Sequence, residues 1–408
     1  MRKLFLLAFL LPVMAMAQDK GIHFEHGTTW AAVQAKAKAE NKYIFMDCFT
    51  TWCGPCKFMS ANIFPQEKVG SFMNDKFISV KVQMDQTEKD NDDVKAWYAS
   101  AKQIEKDYSI RAYPTFLVFA PDGRIVDRQV GGAEADQFVE RCAASLNPAT
   151  QYYTQLDLYK KGKKDTAFLR QLAVLALNKY DQANAAEVSK EYLSKQKDLY
   201  TPVNIEFISK FTQSSKDVGF DMFLHHADKI NKVLGPGKAE EKLMGIVANE
   251  EVYPQLMKKD GSKPDWAAIE TNLKTKYPSI AEELTLKTKV QYFNYVKDAD
   301  NAVASIVAYM KKYGHKADAQ SLNEYAWTIF EKCNDMACIE QALEWSKRSF
   351  KDNEVPAFMD TYANLLYKAG KKDDALAWEE KALNKANGDE KKNYETTLEK
   401  MKKGEKYW

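Results

Sequence analysis

The sequence predicts an α/β domain with a mixed central sheet flanked by helices, followed by an all-α helical-repeat solenoid. Three observations carry that reading. Strand-like runs alternate with helical ones as far as Asn147-Pro148 and end in a hairpin. From Gln151 onward strand-like alternation almost vanishes, while helical apolar spacing persists to the last residues. Within that second part, short blocks recur at offsets of 33 and 37 residues, the period of stacked helix pairs.

Taken in order, residues 1–17 open with Arg2-Lys3, continue with an apolar core from Leu4 to Met14 and close on the small-x-small site Ala15-Met16-Ala17. This is the pattern of a secretory signal cleaved before Gln18, with an apolar run shorter than the ~20 residues that a span requires. An Ala-rich helix is expected over Thr29–Lys42 and a buried strand over Tyr43–Phe49. A helix should then open at Cys53 or Gly54 and break near Pro65, with a second short one over Glu67–Asn74. Phe77–Met84 reads as a strand, Asp85–Asp93 as an acidic loop leading into a helix that ends near Tyr108. Thr115–Phe119 and Arg124–Val130 form a hairpin turned by Pro121-Asp122-Gly123, and a helix over Ala133–Leu146 closes the unit.

In the second part, Ala342-Leu343-Glu344-Trp345 recurs as Ala375-Leu376-Ala377-Trp378, and Tyr325-Ala326 recurs as Tyr362-Ala363, which places a four-residue insertion in the first copy. Tyr367-Lys368-Ala369-Gly370 echoes Tyr159-Lys160-Lys161-Gly162, so the helical array is expected to start directly after the first domain. The pattern resembles tetratricopeptide repeats over about residues 321–386. The expected division is a signal peptide at 1–17, an α/β domain at 18–147, a helical region with degenerate repeats at 148–320, and clear repeats at 321–408. Loops are expected at Gly235-Pro236-Gly237 and at residues 258–264.

The formal charge of +2 falls to 0 once residues 1–17, with Arg2 and Lys3 and no acid, are removed. A neutral chain has no general attraction for nucleic acid or anionic membrane. Six cysteines in 408 residues are too few for a disulfide-stapled scaffold. Cys48 and Cys142 fall on buried patterns and read as inert core thiols. Cys333 and Cys338 flank the insertion between two helices, either as a small structural disulfide or as two free thiols. His225-His226 are adjacent on a helical pattern and so point in different directions, which suits surface positions better than a metal.

Cys53-Gly54-Pro55-Cys56 carries the chemistry, because it lies where a strand gives way to a helix. A cysteine in the first turn of a helix faces unpaired N–H groups and the positive end of the macrodipole, which favours its thiolate. Pro55 suits that turn, where its missing N–H costs nothing. Two cysteines so placed can exchange between dithiol and disulfide. The spacing alone is weak, since zinc half-sites share it, and a zinc site of Cys53, Cys56, Cys333 and Cys338 would meet the ligand count without histidine support.

The surroundings resemble the thioredoxin family over about residues 25–147: Asp47 in the preceding strand, Trp52 before Cys53, Tyr113-Pro114-Thr115 before a later strand, Asp122-Gly123 in the hairpin turn and Gly131 after it. The resemblance implies a thioredoxin fold and thiol–disulfide exchange with proteins. It makes Cys53, at an exposed helix tip, the attacking thiolate and Cys56 the resolving thiol. Asp47 resembles the family's buried acid that takes the proton of the resolving thiol, and Lys81 the lysine beside it. Pro114 falls at the family's cis-proline, and the backbone of Tyr113 would pair with an extended substrate segment. Trp52, Gly54, Pro55 and Gly131 complete the expected docking surface. Three departures stand out: the bulk of Tyr113, the long segment from Asp85 to Tyr108, and the lack of the family's helix-kinking proline at Ala61. The opening Thr28-Thr29-Trp30 looks more like exported relatives, with an added helix expected over one sheet edge.

These features lead to an exported protein-disulfide oxidoreductase of the periplasm or exterior, serving cell redox homeostasis without cofactor or metal. Its expected partners are protein thiols and disulfides, a membrane electron donor, and a protein held on the helical repeats. The motif resembles thioredoxin's, whose potential near ~−270 mV is more reducing than the ~−180 mV of protein disulfide isomerase, so reduction is the expected direction. The alternatives are an oxidase or isomerase, or a repeat scaffold with the thioredoxin unit as a docking module.

Overall fold

The structure, a computed structural model, describes residues 20–256 and 261–408. The expected signal sequence, residues 1–17, lies outside the described residues, as do residues 258–260 of the second expected loop. The chain divides into one compact unit that ends at Leu199 and a second over Tyr200–Trp408.

The first unit begins with a two-residue strand β1 (Phe24–Glu25), too short to have left a periodic signal, and α1 (Trp30–Glu40). Thr29 caps α1 by accepting from the Ala32 N–H at 3.3 Å, and Asn41 ends it in the left-handed conformation. Next come β2 (Tyr43–Phe49), α2 (Gly54–Phe58), a π turn over Met59–Ile63, α3 (Glu67–Lys76) and β3 (Phe77–Gln83). They are followed by α4 (Asp92–Asp107), β4 (Thr115–Phe119), β5 (Ile125–Val130) and α5 (Ala135–Ala144). The sheet order is β1-β3-β2-β4-β5, parallel from β1 to β2 and antiparallel from β2 to β5.

β2 is therefore central, and its side chains alternate between two cores. Ile44, Met46 and Cys48 join Val33, Trp97 and Leu117 on one face. Phe45 joins Met59, Phe64, Phe116 and Phe138 on the other, where the π turn, α3 and α5 pack. Asp47, two residues on from Phe45, shares this second face.

Beyond residue 147 the first unit continues through α6 (Tyr152–Lys160), α7 (Thr166–Asn178) and α8 (Gln182–Ser194). Helix α6 packs against the edge strand β5. The tie is Asp127 of β5, almost fully buried. It accepts from Ser145 Oγ at 2.7 Å and from the Tyr152 N–H at 3.3 Å, and it pairs with Lys179 Nζ at 2.8 Å. These partners are scattered along the sequence, and so the bond between sheet and helices left no local pattern.

The second unit is helical throughout its described residues: α9 (Pro202–Phe211), α10 (Phe220–His225), α11 (Ala227–Leu234), α12 (Lys238–Val247), a π turn at Ala248–Val252, α13 (Tyr253–Leu256), α14 (Trp266–Lys276), α15 (Ala281–Tyr295) and α16 (Ala299–Tyr313). It closes with α17 (Ala319–Lys332), α18 (Met336–Ser349), α19 (Pro356–Lys368), α20 (Lys372–Lys385) and α21 (Asp389–Lys403). The recurring blocks fall on two helix pairs, Tyr325 and Tyr362 on α17 and α19, Ala342 and Ala375 on α18 and α20. Both alanines are fully buried, where a small side chain lets the helices approach. The extra residues of the first copy lengthen the end of α17 and the start of α18 instead of forming a loop, because Asp335 caps α18 early by accepting from the Ala337 N–H. Cys338 thus lies inside a helix, and Cys333 and Cys338 are free, buried thiols. No helix among the described residues is long and apolar enough to cross a membrane.

Replacing Asp127 by Ala strands Lys179, whose side chain is 15% exposed, without its counter-ion. Loss of one partner of a buried pair costs about 3–5 kcal/mol, so urea unfolding of the full chain should show a destabilisation of that order.

Candidate functional site

The carboxyl end of β2 delivers the chain to Cys53, which caps α2 with φ −72° and ψ 110°. Pro55 is in the first turn, and Cys53 and Cys56 are joined by a disulfide. The Cys56 N–H donates to Cys53 Sγ at 3.1 Å, so that sulfur already occupies the anion-favouring position at the helix start. Sequence reasoning placed Cys53 at an exposed tip; it is instead 4% exposed, because its sulfur folds back onto the helix start while Trp52 projects into solvent at 69% exposure. Gly54 and Pro55 are exposed beside it.

Two neighbouring segments frame the motif. The Tyr113-Pro114 bond is cis, and the Tyr113 ring meets Trp52 edge-on with centroids 5.9 Å apart. The Tyr113 hydroxyl donates to Glu105 of α4 at 3.2 Å, and burial together with that acid pushes it up to about 12. Gly131, with φ +84°, donates its N–H to the Pro114 carbonyl at 2.9 Å. Such a φ is readily adopted only by glycine. Thr51 is held by Asp85, which accepts from its backbone N–H at 2.9 Å and from its hydroxyl.

Asp47 is 2% exposed and its Oδ1 meets no donor within the protein. In register with it on β3, Lys81 brings Nζ to 3.7 Å from Asp47 Oδ2. Burial pushes the Asp47 carboxyl up to about 6, against the pull of the ammonium. Sequence reasoning missed the groups that set that separation. Lys81 Nζ donates to Ser60 Oγ at 2.6 Å and lies 4.9–5.6 Å from the ring centroids of Phe24, Phe49 and Phe64. Ser60 lies in the π turn, where the Phe64 N–H donates to the Met59 carbonyl at 2.9 Å. That turn stands where the family's helix-kinking proline was absent, and no residue pattern signals a π turn.

Cys48 and Cys142 are fully buried, and burial pushes both thiols well up. His226 packs its ring edge-on to Tyr200. Among the described residues no group of three His, Cys, Asp or Glu side chains is arranged to hold a metal ion.

A five-stranded mixed sheet, a disulfide at a helix start and an adjacent cis-proline segment define a thioredoxin-fold protein with a redox-active cysteine pair. The profile of a family described as thioredoxin-like domain matches residues 30–144. Thioredoxin H4 of Arabidopsis thaliana is 31% identical over 123 residues, which cover 30% of this chain and 88% of that protein. Thioredoxin Y1, chloroplastic, of the same plant is 36% identical over 106 residues, 26% of this chain and 51% of that protein. The solved thioredoxin F from spinach chloroplast is 26% identical, covers 31% of this chain and 96% of that one, and has a TM-score of 0.23. Through this domain the chain belongs to the thioredoxin family. It spans about half the length of several curated relatives, 51% of both Thioredoxin Y1 and Thioredoxin-2 of Pyricularia oryzae.

The Asp47 shift has a thermodynamic consequence. Between an unfolded pKa near ~3.9 and a folded value of about 6, the native state holds a proton that the unfolded state has shed, so stability falls as pH rises through this window and is level above it. Two units correspond to about 3 kcal/mol. Asp47→Asn should lack that fall: denaturant unfolding of the oxidised chain should show the variant gaining about 2–3 kcal/mol on wild type between pH 4 and pH 7.

Proposed function

We propose that the protein is an exported thiol–disulfide oxidoreductase that reduces disulfides in other proteins, while its helical region holds a partner or substrate. The observation that carries the reading is the Cys53–Cys56 disulfide at the start of α2, on the face of the sheet where Asp47 is buried. In the reduced form the Cys53 thiolate attacks one sulfur of a substrate disulfide, forming a mixed disulfide and expelling the other substrate sulfur as thiolate. Cys56 then loses its proton to the Asp47 carboxylate, with Lys81 balancing the charge. Its thiolate attacks Cys53 Sγ, releases the second substrate thiolate and leaves the oxidised pair. An acceptor that titrates near 6 is ionised at neutral pH and close enough in affinity to exchange the proton again.

Trp52, Gly54, Pro55, Tyr113, Pro114 and Gly131 form the surface against which an extended substrate segment lies on this reading. Electrons return from a donor that reduces the pair, and the expected source for an exported protein is a membrane transporter of reducing equivalents. Repeats of the tetratricopeptide kind over residues 321–386 would give the helical region a concave binding surface. The Tyr113 ring beside Trp52 favours one second reading, oxidase or isomerase, since it alters the substrate face from the reductase pattern.

Equilibration against defined thiol buffers tests the direction: a potential near ~−270 mV is expected, and one above ~−200 mV would overturn reduction in favour of oxidation or isomerisation. Cys53→Ser should abolish turnover, whereas Cys56→Ser should accumulate a mixed disulfide visible by mass spectrometry under non-reducing conditions. In cells, a phenotype that survives Cys53→Ser but not removal of residues 321–408 would instead favour a scaffold.

A further inference from the structure

Helices α19 and α20 bring two acids together inside the second unit. Glu379 is fully buried, and neither of its carboxyl oxygens meets a hydrogen-bond donor of good geometry within the protein. It stands against Asp360, a half-buried residue whose Oδ1 accepts from Asn364 Nδ2 at 3.0 Å. Burial and the charge of Asp360 push Glu379 up to about 10, and burial pushes Asp360 up to about 6. At neutral pH the pair thus holds one proton and one negative charge. Among the described residues no lysine or arginine pulls either acid down. Lys368, two turns further along α19, donates from Nζ to the Phe330 carbonyl at 2.6 Å and lies 5.5 and 5.7 Å from the Phe330 and Trp408 ring centroids. Lys400 and Lys406 lie over Tyr407 and Trp408, so these ring faces already receive ammonium groups, although none reaches Asp360 or Glu379. A buried charge of this kind is costly unless a counter-ion reaches it.

Asp360 opens onto a cavity of about 560 Å³ whose wall includes Trp327, Phe330, Tyr394, Tyr407 and Trp408 and a second acid, Glu331. Aromatic walls around a carboxylate match a cation carried on an apolar stem, since ring faces attract the charge and ring surfaces cover the methylenes. One Asp360 oxygen is already taken by Asn364, so the two-pronged geometry that a guanidinium prefers is not on offer, while an ammonium needs only a point charge. A quaternary ammonium would leave the carboxylate without a donor.

We propose that this cavity binds a lysine side chain of a partner protein, its ammonium on Asp360 and its methylenes between the aromatic rings. The inference rests on the reading of the helical region as a partner-binding surface and names the chemistry that surface selects.

The test titrates the full chain, labelled with ¹⁵N-tryptophan, with Nα-acetyl-lysine methylamide and with its neutral Nε-acetyl counterpart. The indole signals of Trp327 and Trp408 are followed. Saturable shifts with the cationic probe are expected, at least ~tenfold weaker with the neutral one and lost in Asp360→Asn. The variant should keep the wild-type far-ultraviolet circular dichroism and the dispersed indole signals of the free chain, which shows that the helical unit is folded. No saturable shift up to ~50 mM would overturn the site. Equal response to both probes would overturn the cation assignment. Neither result bears on whether the helical region holds a partner, which the removal of residues 321–408 decides.

Discussion

A carboxyl group at the centre of a sheet is the constraint around which the first unit is arranged. Asp47 lies on the middle strand, paired with Lys81 on one side and Phe116 on the other, and its burial costs about 3 kcal/mol once it is charged. A direct salt bridge would lower that cost but would also hold the carboxylate well below neutral pH, where it could not take a proton from a thiol. The observed arrangement is intermediate. Ser60 takes the short hydrogen bond from Lys81, and the ammonium is left at 3.7 Å from the acid. The π turn that carries Ser60 therefore bears on the acid–base behaviour of Asp47 through Lys81.

Asp127, Asp47 and the Asp360–Glu379 pair are handled in three ways, and the differences sort structure from chemistry. Asp127 is satisfied by an ammonium, a hydroxyl and backbone N–H groups, and it fastens helices to an edge strand. Asp47 has a partial counter-ion and titrates near neutrality. The Asp360–Glu379 pair has no internal counter-ion among the described residues and adjoins a cavity. The less a buried charge is satisfied from within, the more its retention calls for something that arrives from without.

Legibility in the sequence followed the range of each interaction. The cysteine motif and the strand before it were readable because strand-to-helix chemistry is local, whereas Trp52 and the Tyr113-Pro114 pair were readable through the resemblance to the thioredoxin family. The order of elements in the α/β domain was readable because apolar period switches with each element. Ser60 was invisible, since a serine within a helix carries no sign of what it will bond 21 residues later. Asp127 and Lys179 meet across 52 residues, and Asp360 and Glu379 sit on separate helices whose facing turns no periodicity reports. Cys53 was misplaced for a different reason: helix-start geometry correctly put its sulfur near free N–H groups, but not that folding back onto them removes it from solvent.

That burial bears on how the proposed reaction is gated. A disulfide whose attacked sulfur is 4% exposed is poorly reached by thiols in free solution, because exchange needs a third sulfur nearly in line with the bond. A partner that lays an extended segment against the exposed Trp52 and the adjacent Tyr113 would hold its sulfur close to the motif that follows Trp52. Docking on this reading sets the rate of exchange, so that small thiols react with the pair slowly and a docked segment reacts first. A helical region that holds a partner would act on the same step, by raising the effective concentration of one docked segment over all others.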